Sequence, residues 1–277
     1  MDIAKCTLDN KLYKINDFEK LELSEIAQKR RFLECKCGGP AFFRKASKSG
    51  QGACFGARPH KEGCDFSSPE NENIGGTLTS EEKAFVNSGK EIILDLQYGA
   101  VKNKHVIDTD DEIESAKNKG MIHSHINGEA ESKLQRRLST LLRTLISEKD
   151  FFKNSKRKIH FIGKYPFNAG NFFIHSDYIN NDYIDKINKR TYRAVWSMIS
   201  DAKYSKDSKS IWINTGGNDT ISILIDEEMH DIFLDRFKIK ELEDLSGKYV
   251  LSICKLNKSK NDKIFSKVED ISYISIV

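Results

Sequence analysis

The sequence predicts a multi-domain α+β protein with an N-terminal cysteine-rich finger, a mixed middle region and a C-terminal β-barrel. Three observations predict this class. Four of the six cysteines fall within residues 34–66, a leucine-rich helical pattern runs over residues 129–152, and short alternating strands fill residues 191–277. We therefore divide the chain into residues 1–66, 67–190 and 191–277.

The composition is that of a protein with a large hydrated surface. Hydrophobic residues make up 38% of the 277 residues and charged residues 31%. No apolar run approaches the roughly 20 residues of a membrane-spanning helix, and the N-terminus lacks the apolar core of a signal peptide. We expect a cytoplasmic protein without a membrane partner. In that reducing compartment, clustered cysteines bind metal or react as thiols rather than form disulfides.

The finger, residues 34–66, predicts a structural Zn²⁺ site. Thiolate and imidazole are the ligands that zinc prefers, and a short polar segment gains folding energy from such an ion. The five candidate ligands are Cys35, Cys37, Cys54, His60 and Cys64. We favour a set without Cys54, which would substitute if one thiol of the first pair is free. The one-residue spacer in "CKC" is shorter than the usual two.

The segments "AFFRKAS" and "ACFGA" inside the finger read as two short strands around the tip "KSGQG". A cysteine pair, a basic apolar strand and a His/Cys end together resemble the N-terminal zinc fingers of competence-protein-like nucleic-acid proteins. The resemblance implies contact with nucleic acid, for which Arg44, Lys45 and Arg58 are the candidates. A solvated basic loop would carry the same charges.

The middle region contains a predicted basic amphipathic helix over residues 129–152. Leucines recur at helical spacing, and Arg136, Arg137 and Arg143 fall on the polar side. Between Lys133 and Lys164 there are ten basic residues and two acidic ones. Such an excess favours a polyanion partner over a merely solvated face.

A histidine pair, His123 and His125, precedes this helix in a polar stretch. An H-x-H pair near carboxylates could hold the metal ion of a nuclease, but the spacing is common by chance. We favour the simpler interpretation, a surface turn ahead of the helix. No P-loop, H-E-x-x-H motif or nucleophile elbow occurs in the chain. We therefore expect a binding protein rather than an enzyme.

The C-terminal region reads as three strands, a helix and two strands. The predicted elements are strands at 192–205, 209–216 and 220–226, a helix at 227–239, and strands at 247–256 and 263–277. This order resembles that of the OB-fold, a five-stranded barrel with a helix between strands three and four. The resemblance implies an oligonucleotide-binding surface on strands two and three.

Strand two of this barrel predicts a base-stacking residue. Alternate side chains of a strand point to opposite faces, so Ile211 and Ile213 inside leave Trp212 outside, beside Lys209. Trp196 on the first strand is expected to share that surface. The competing interpretation is that the rest of the chain covers Trp212.

Together these features predict a zinc-containing protein that binds single-stranded DNA or RNA. The expected role is an accessory factor in replication, recombination, mobile-element or phage-related processes. Two alternatives remain: a metal-dependent nuclease using His123 and His125, and a protein-interaction subunit of a larger complex. Because the finger and the barrel lie far apart in sequence, we expect metal removal to loosen the finger alone.

Overall fold

The chain has a mixed α and β fold whose C-terminal sheet curls into a half-barrel. A computed structural model describes residues 1–48, 50–67, 91–96, 133–153, 155–161, 166–206, 208–216 and 221–277. Among these residues, no helix has the length and apolar character needed to cross a membrane. The histidine pair His123 and His125 lies outside the described residues.

The N-terminal region combines a small sheet with a β-hairpin. Its elements are β1 (Ile3–Cys6), β2 (Leu12–Lys14), α1 (Ile15–Phe18), α2 (Leu23–Lys29), β3 (Leu33–Glu34), β4 (Ala41–Arg44) and β5 (Cys54–Ala57). β1 pairs antiparallel with β2 and β3, and β4 pairs antiparallel with β5. The rings of Phe18, Phe43 and Phe55 pack within 5.8 Å of one another, centre to centre. The two strands expected in the finger are therefore present, and aromatic burial holds them together.

The middle region forms a four-stranded sheet in the order β7-β6-β8-β9. Its elements are β6 (Glu91–Asp95), β7 (Lys133–Arg137), α3 (Leu138–Ser147), β8 (Lys158–His160) and β9 (Phe167–Asn168). Strand β6 runs parallel to both β7 and β8. The leucines of α3 that face the core, Leu138, Leu141, Leu142 and Leu145, are buried.

The predicted helix 129–152 is wrong over residues 133–137, and its residues 129–132 lie outside the described part of the chain. Residues 133–137 form a strand whose five residues each pair with one residue of β6. Arg136 and Arg137 therefore lie in a strand and not on a polar helix face. A continuous backbone ladder outweighs the few tenths of a kcal/mol per residue that helix propensity supplies. The helical leucine spacing applies only from Leu138 onward.

The C-terminal region is an eight-stranded sheet with one helix packed against it. The elements from residue 169 are α4 (Ala169–Phe172), β10 (Phe173–His175), α5 (Asn181–Lys186), β11 (Arg193–Tyr204), β12 (Ile211–Thr215), β13 (Ser222–Ile225), α6 (Glu227–Arg236), β14 (Tyr249–Cys254), β15 (Leu256–Lys258), β16 (Ile264–Lys267) and β17 (Ile274–Ile276). β11 pairs with β12 and β14, and β13 pairs with β12 and, in parallel, with β16. β15 completes a hairpin with β16. Because only Lys255 separates β14 from β15, the sheet curls back towards its own beginning.

Both faces of the long strand β11 are buried. Ile199 faces a core with the isoleucines of β12 and β13 and with Phe233 of α6, whereas Trp196 and Met198 face the leucines of α3. Trp196 is 3% exposed, so the expectation that it shares an outer surface with Trp212 is wrong. Strand β10 pairs in parallel with β11, so residues 173–175 add a strand to the C-terminal sheet.

The N-terminal hairpin packs directly on the C-terminal sheet. The ring of Phe42 belongs to the core shared by α3, β11 and β14. It lies against Gly247, whose φ is +83° and where an added Cβ would sit 2.3 Å from Phe42 Cε1. Only glycine satisfies both the left-handed backbone and this close approach.

Candidate metal centre

The four side chains of the candidate centre come from two turns that close the base of the β4–β5 hairpin. Cys35 and Cys37 follow β3, and His60 and Cys64 follow β5. In the first turn the backbone N–H of Gly38 donates to Cys35 O at 2.7 Å, and the φ of Gly38 is +75°. In the second, Cys64 N–H donates to Lys61 O at 3.2 Å. The hairpin register thus brings residues nearly thirty positions apart to one point.

The donor atoms of Cys35, Cys37, His60 and Cys64 all lie within 4.8 Å of one another. Cys35 Sγ is 3.8 Å from Cys64 Sγ, and His60 Nδ1 is 3.3 Å from Cys64 Sγ and 3.9 Å from Cys37 Sγ. An ion bound tetrahedrally at about 2.3 Å from sulfur and about 2.0 Å from nitrogen requires S–S and S–N separations of about 3.8 and about 3.6 Å. The observed spacings fit a small tetrahedral metal ion.

The two thiols of the first turn differ in acidity. Burial raises the pKa of Cys35 to about 11. Burial also opposes ionisation of Cys37, but the backbone N–H of Lys61 and the His60 side chain outweigh it and lower its pKa to about 6. Lys61 N donates to Cys37 Sγ at 3.4 Å. Such an N–H to sulfur bond orients a ligand and stabilises its thiolate.

Cys54 is not part of the cluster. It begins β5 and pairs with Arg44 at the tip end of the hairpin, whereas the two turns lie at the other end, beyond the Ala41–Ala57 pair. Cys54 is three residues of strand from that end, roughly 10 Å, so its thiol does not reach the site at the base. All six cysteines lie in the described residues and each is a free thiol. Cys6 and Cys254 are fully buried.

The finger's basic candidates lie at the junction with the C-terminal region. The guanidinium carbons of Arg44 and Arg58 are each 5.8 Å from the centre of the Phe42 ring. Arg44 Nη2 donates to Ser246 O at 3.1 Å. Burial, and then the charge of Arg44, lower the pKa of Arg58. Lys45 has an exposed side chain. The structure thus brings Arg44 and Arg58 together beside the Phe42 ring. The hydrogen bond from Arg44 to Ser246 also ties the finger to the C-terminal region.

The other basic candidates lie on different elements. Arg136 and Arg137 belong to β7, and Arg143 is a half-buried residue of α3 whose Nε has no hydrogen-bond partner among the described residues. Lys209 Nζ is 3.1 Å from Glu227 Oε1, and both side chains are exposed. The positive charge of Lys209 is thus partly compensated in the folded protein.

Trp212 lies on the face of β12 opposite to Ile211 and Ile213. Both isoleucines are fully buried, whereas Trp212 is half-buried. The ring centre of Trp212 is 6.2 Å from that of Phe265 on β16, and Lys263 Nζ is 5.9 Å from the centre of the Trp212 ring. The predicted strand register is therefore confirmed. The alternation of side chains along a strand is sufficient to produce this placement.

Sequence reasoning missed the residues that hold the finger in place. Tyr249 Oη donates to Arg58 O at 2.8 Å, two residues before His60. Arg30 and Arg31 bind acidic residues of the C-terminal region. A basic run such as "KRR" gives no sign of a buried role, because its partners lie about two hundred positions away.

No protein-family model matches this chain, and no curated protein matches it at a significant level.

Proposed function

We propose that this chain is a zinc-containing protein that binds single-stranded DNA or RNA. The observation that carries the proposal is the surface around Trp212. There a half-buried indole, a second aromatic ring and a lysine lie side by side on the outer face of a curled sheet. Unpaired bases stack on aromatic side chains, and lysines beside them neutralise the phosphates.

The donor set supports zinc as the metal. Three thiols and one imidazole form the Cys₃His set typical of structural zinc sites. The ion would be held by Cys35, Cys37, His60 and Cys64, and when bound it would stabilise the fold of the finger. Protein side chains supply all four ligands of a tetrahedron, which leaves no position open for water or substrate. The site therefore has the closed character of a structural centre rather than a catalytic one.

The strand connectivity supports an OB-like barrel. The first strand, β11, pairs with the second and the fourth, and the third, β13, pairs in parallel with the last barrel strand, β16. Helix α6 lies between the third and fourth strands. This is the order expected of a five-stranded OB barrel, whose second and third strands usually carry the oligonucleotide. Trp212 lies on the second strand.

The role that follows is that of an accessory factor in the cytoplasm, in replication, recombination, mobile-element or phage-related processes. Six free thiols are consistent with a reducing compartment. A binder of this kind prevents pairing of an exposed strand or presents it to an enzyme.

The test is equilibrium binding of labelled single-stranded DNA, single-stranded RNA and duplex DNA over a salt series. We expect tighter binding of one single strand than of duplex, with log K falling linearly against log salt. Absence of binding to every oligonucleotide at low salt would overturn the proposal. In that case capture of a partner protein would favour a role as an interaction subunit.

A further inference from the structure

A cavity of 430 Å³ lies where the end of α3 meets β10 and β11. Small-ligand sites usually occupy about 300–1,000 Å³. Its lining includes five buried apolar side chains: Leu145, Phe152, Phe173, Ile174 and Trp196. The rings of Phe152 and Phe173 are stacked with their centres 4.5 Å apart. The cavity thus has an aromatic floor, which suits a flat heterocycle.

The rim of the cavity adds an exposed ring and positive charge. Tyr178 is 53% exposed, and Lys149 Nζ and Lys153 Nζ lie 5.6 and 6.0 Å from its ring centre. Arg193 also lines the cavity, and its Nε donates to Tyr183 Oη at 3.3 Å. A stacking surface beside several cations is the combination that binds a base and its phosphate.

Two carboxylates partly neutralise the positive charge of the rim lysines. Lys149 Nζ is 2.8 Å from Asp177 Oδ2, which also lies 3.1 Å from His175 Nδ1. Lys153 Nζ is 3.4 Å from Asp150 Oδ1, and both of those side chains are more than half exposed. Because exposed ion pairs of this kind contribute little, Lys153 is free to turn towards an anion. The lining holds three cations, Lys149, Lys153 and Arg193, against one carboxylate, Asp150, so the cavity keeps a positive balance even with Asp177 beside it.

The cavity continues towards the metal centre. Lys149, His175 and Trp196 also line a second cavity of 580 Å³, which reaches Gly38 and Pro59 of the finger. A ligand longer than one nucleotide would therefore have room to extend from the first cavity along the finger.

We propose that the first cavity binds one nucleotide, with its base on the aromatic floor and Tyr178 and its phosphate at Lys149 and Lys153. The nucleotide is either a free nucleoside monophosphate or one unit of a single strand. Only the second source rests on the proposed function, because a free nucleotide requires no strand-binding surface.

The experiment uses the full chain with Trp212→Phe. The chain has two tryptophans, so Trp196 in the cavity wall then becomes the only indole reporter. Nucleoside 5′-monophosphates are titrated while tryptophan emission and, separately, heat of binding are recorded. We expect saturable quenching of Trp196.

The affinity for the monophosphate should fall at least tenfold in Tyr178→Ala and in the double variant Lys149→Ala/Lys153→Ala, and should stay unchanged in the control Lys20→Ala. Lys20 is an exposed lysine that does not line the cavity. Circular dichroism checks that each variant is folded.

The proposal is overturned if no monophosphate changes the emission or releases heat up to millimolar concentration. It is also overturned if the unphosphorylated nucleoside binds equally well and the lysine variants make no difference. Competition assigns the source and is measured by heat of binding with the wild-type chain, which keeps Trp212. An oligonucleotide that displaces the monophosphate indicates a strand, and one that does not indicates a free nucleotide. If the wild-type chain binds monophosphates but no oligonucleotide, the proposed function fails while the nucleotide cavity stands.

Discussion

Arg30 Nη2 lies 2.5 Å from Glu243 Oε1, although the two residues are 213 positions apart. The same nitrogen donates to Phe43 O at 2.7 Å and to Ser246 Oγ at 3.0 Å. Arg30 is only 5% exposed. One buried guanidinium therefore joins the finger hairpin to the turn before β14.

Removing the partner of this arginine should destabilise the protein strongly. Glu243→Ala leaves a buried charge without its carboxylate, which costs about 3–5 kcal/mol of unfolding free energy. Urea unfolding followed by circular dichroism measures the loss. The matched control is Glu227→Ala, which breaks the exposed pair with Lys209 and should cost at most about 1 kcal/mol. Equal effects of the two substitutions would show that the Arg30 pair is not structural.

The metal prediction concerns content and ligand identity. We expect about one zinc per purified chain by elemental analysis, lost in Cys64→Ser and in His60→Ala because each removes one of four donors. Cys54→Ser is the control and should retain the ion, since Cys54 lies outside the cluster. Loss of metal in Cys54→Ser alone would contradict the assigned set.

Chelation should affect more than the finger. Its second turn is tied to β14 by the Tyr249–Arg58 hydrogen bond, and Phe42 packs into the core beneath β14. We therefore expect a chelator to lower the thermal midpoint of the whole cooperative transition. This replaces the expectation, drawn from distance in sequence, that the barrel would be unaffected. An unchanged midpoint for the C-terminal signal would restore that earlier view.

Asp201 should make stability depend on pH in the acid range. Burial raises its pKa, but the positive charges of Arg31 and Arg30 and the Asn214 amide outweigh this and leave the pKa below its ordinary value of 3.8. The stabilisation is therefore complete above about pH 4, the pKa of the unfolded group, and is lost as the pH falls through the folded pKa.

Asp201→Asn tests this assignment. The variant should be less stable at pH 7, because Arg31 Nε loses the carboxylate that lies 3.1 Å away. Its unfolding free energy should then fall less steeply than that of the wild type below pH 4. The measurement is the urea midpoint at closely spaced pH values. Parallel pH profiles for the two proteins would assign the acid sensitivity to other carboxylates.

Trp212→Ala should weaken single-strand binding about tenfold to a hundredfold, because one base–aromatic stack contributes roughly 1–3 kcal/mol. Trp212→Phe keeps a ring and should lose less. Fluorescence anisotropy with a labelled oligonucleotide measures both. Ile213→Ala is the contrasting variant: its side chain is fully buried, so it should cost about 2–5 kcal/mol of stability. Unchanged affinity in a folded Trp212→Ala protein would exclude this surface.

Patterns along the chain are sufficient to predict its local features. Cysteines and a histidine spaced around a hairpin predict ligands that meet at its base, because the register of a short hairpin leaves few alternatives. Alternation in β12 likewise placed Ile211 and Ile213 inside and Trp212 outside, since a strand has a period of two. These inferences depend only on neighbours along the chain.

Features that depend on partners distant in sequence are set by long-range packing. Residues 133–137 became a strand because β6 lies alongside them, and Trp196 became core because α3 covers the second face of β11. Arg30 is buried because Glu243 meets it from across the fold. Local patterns record which residues prefer water or a given backbone. They do not record which distant surface buries a given face or which distant residue pairs with a given charge. Those contacts form only when the whole chain packs.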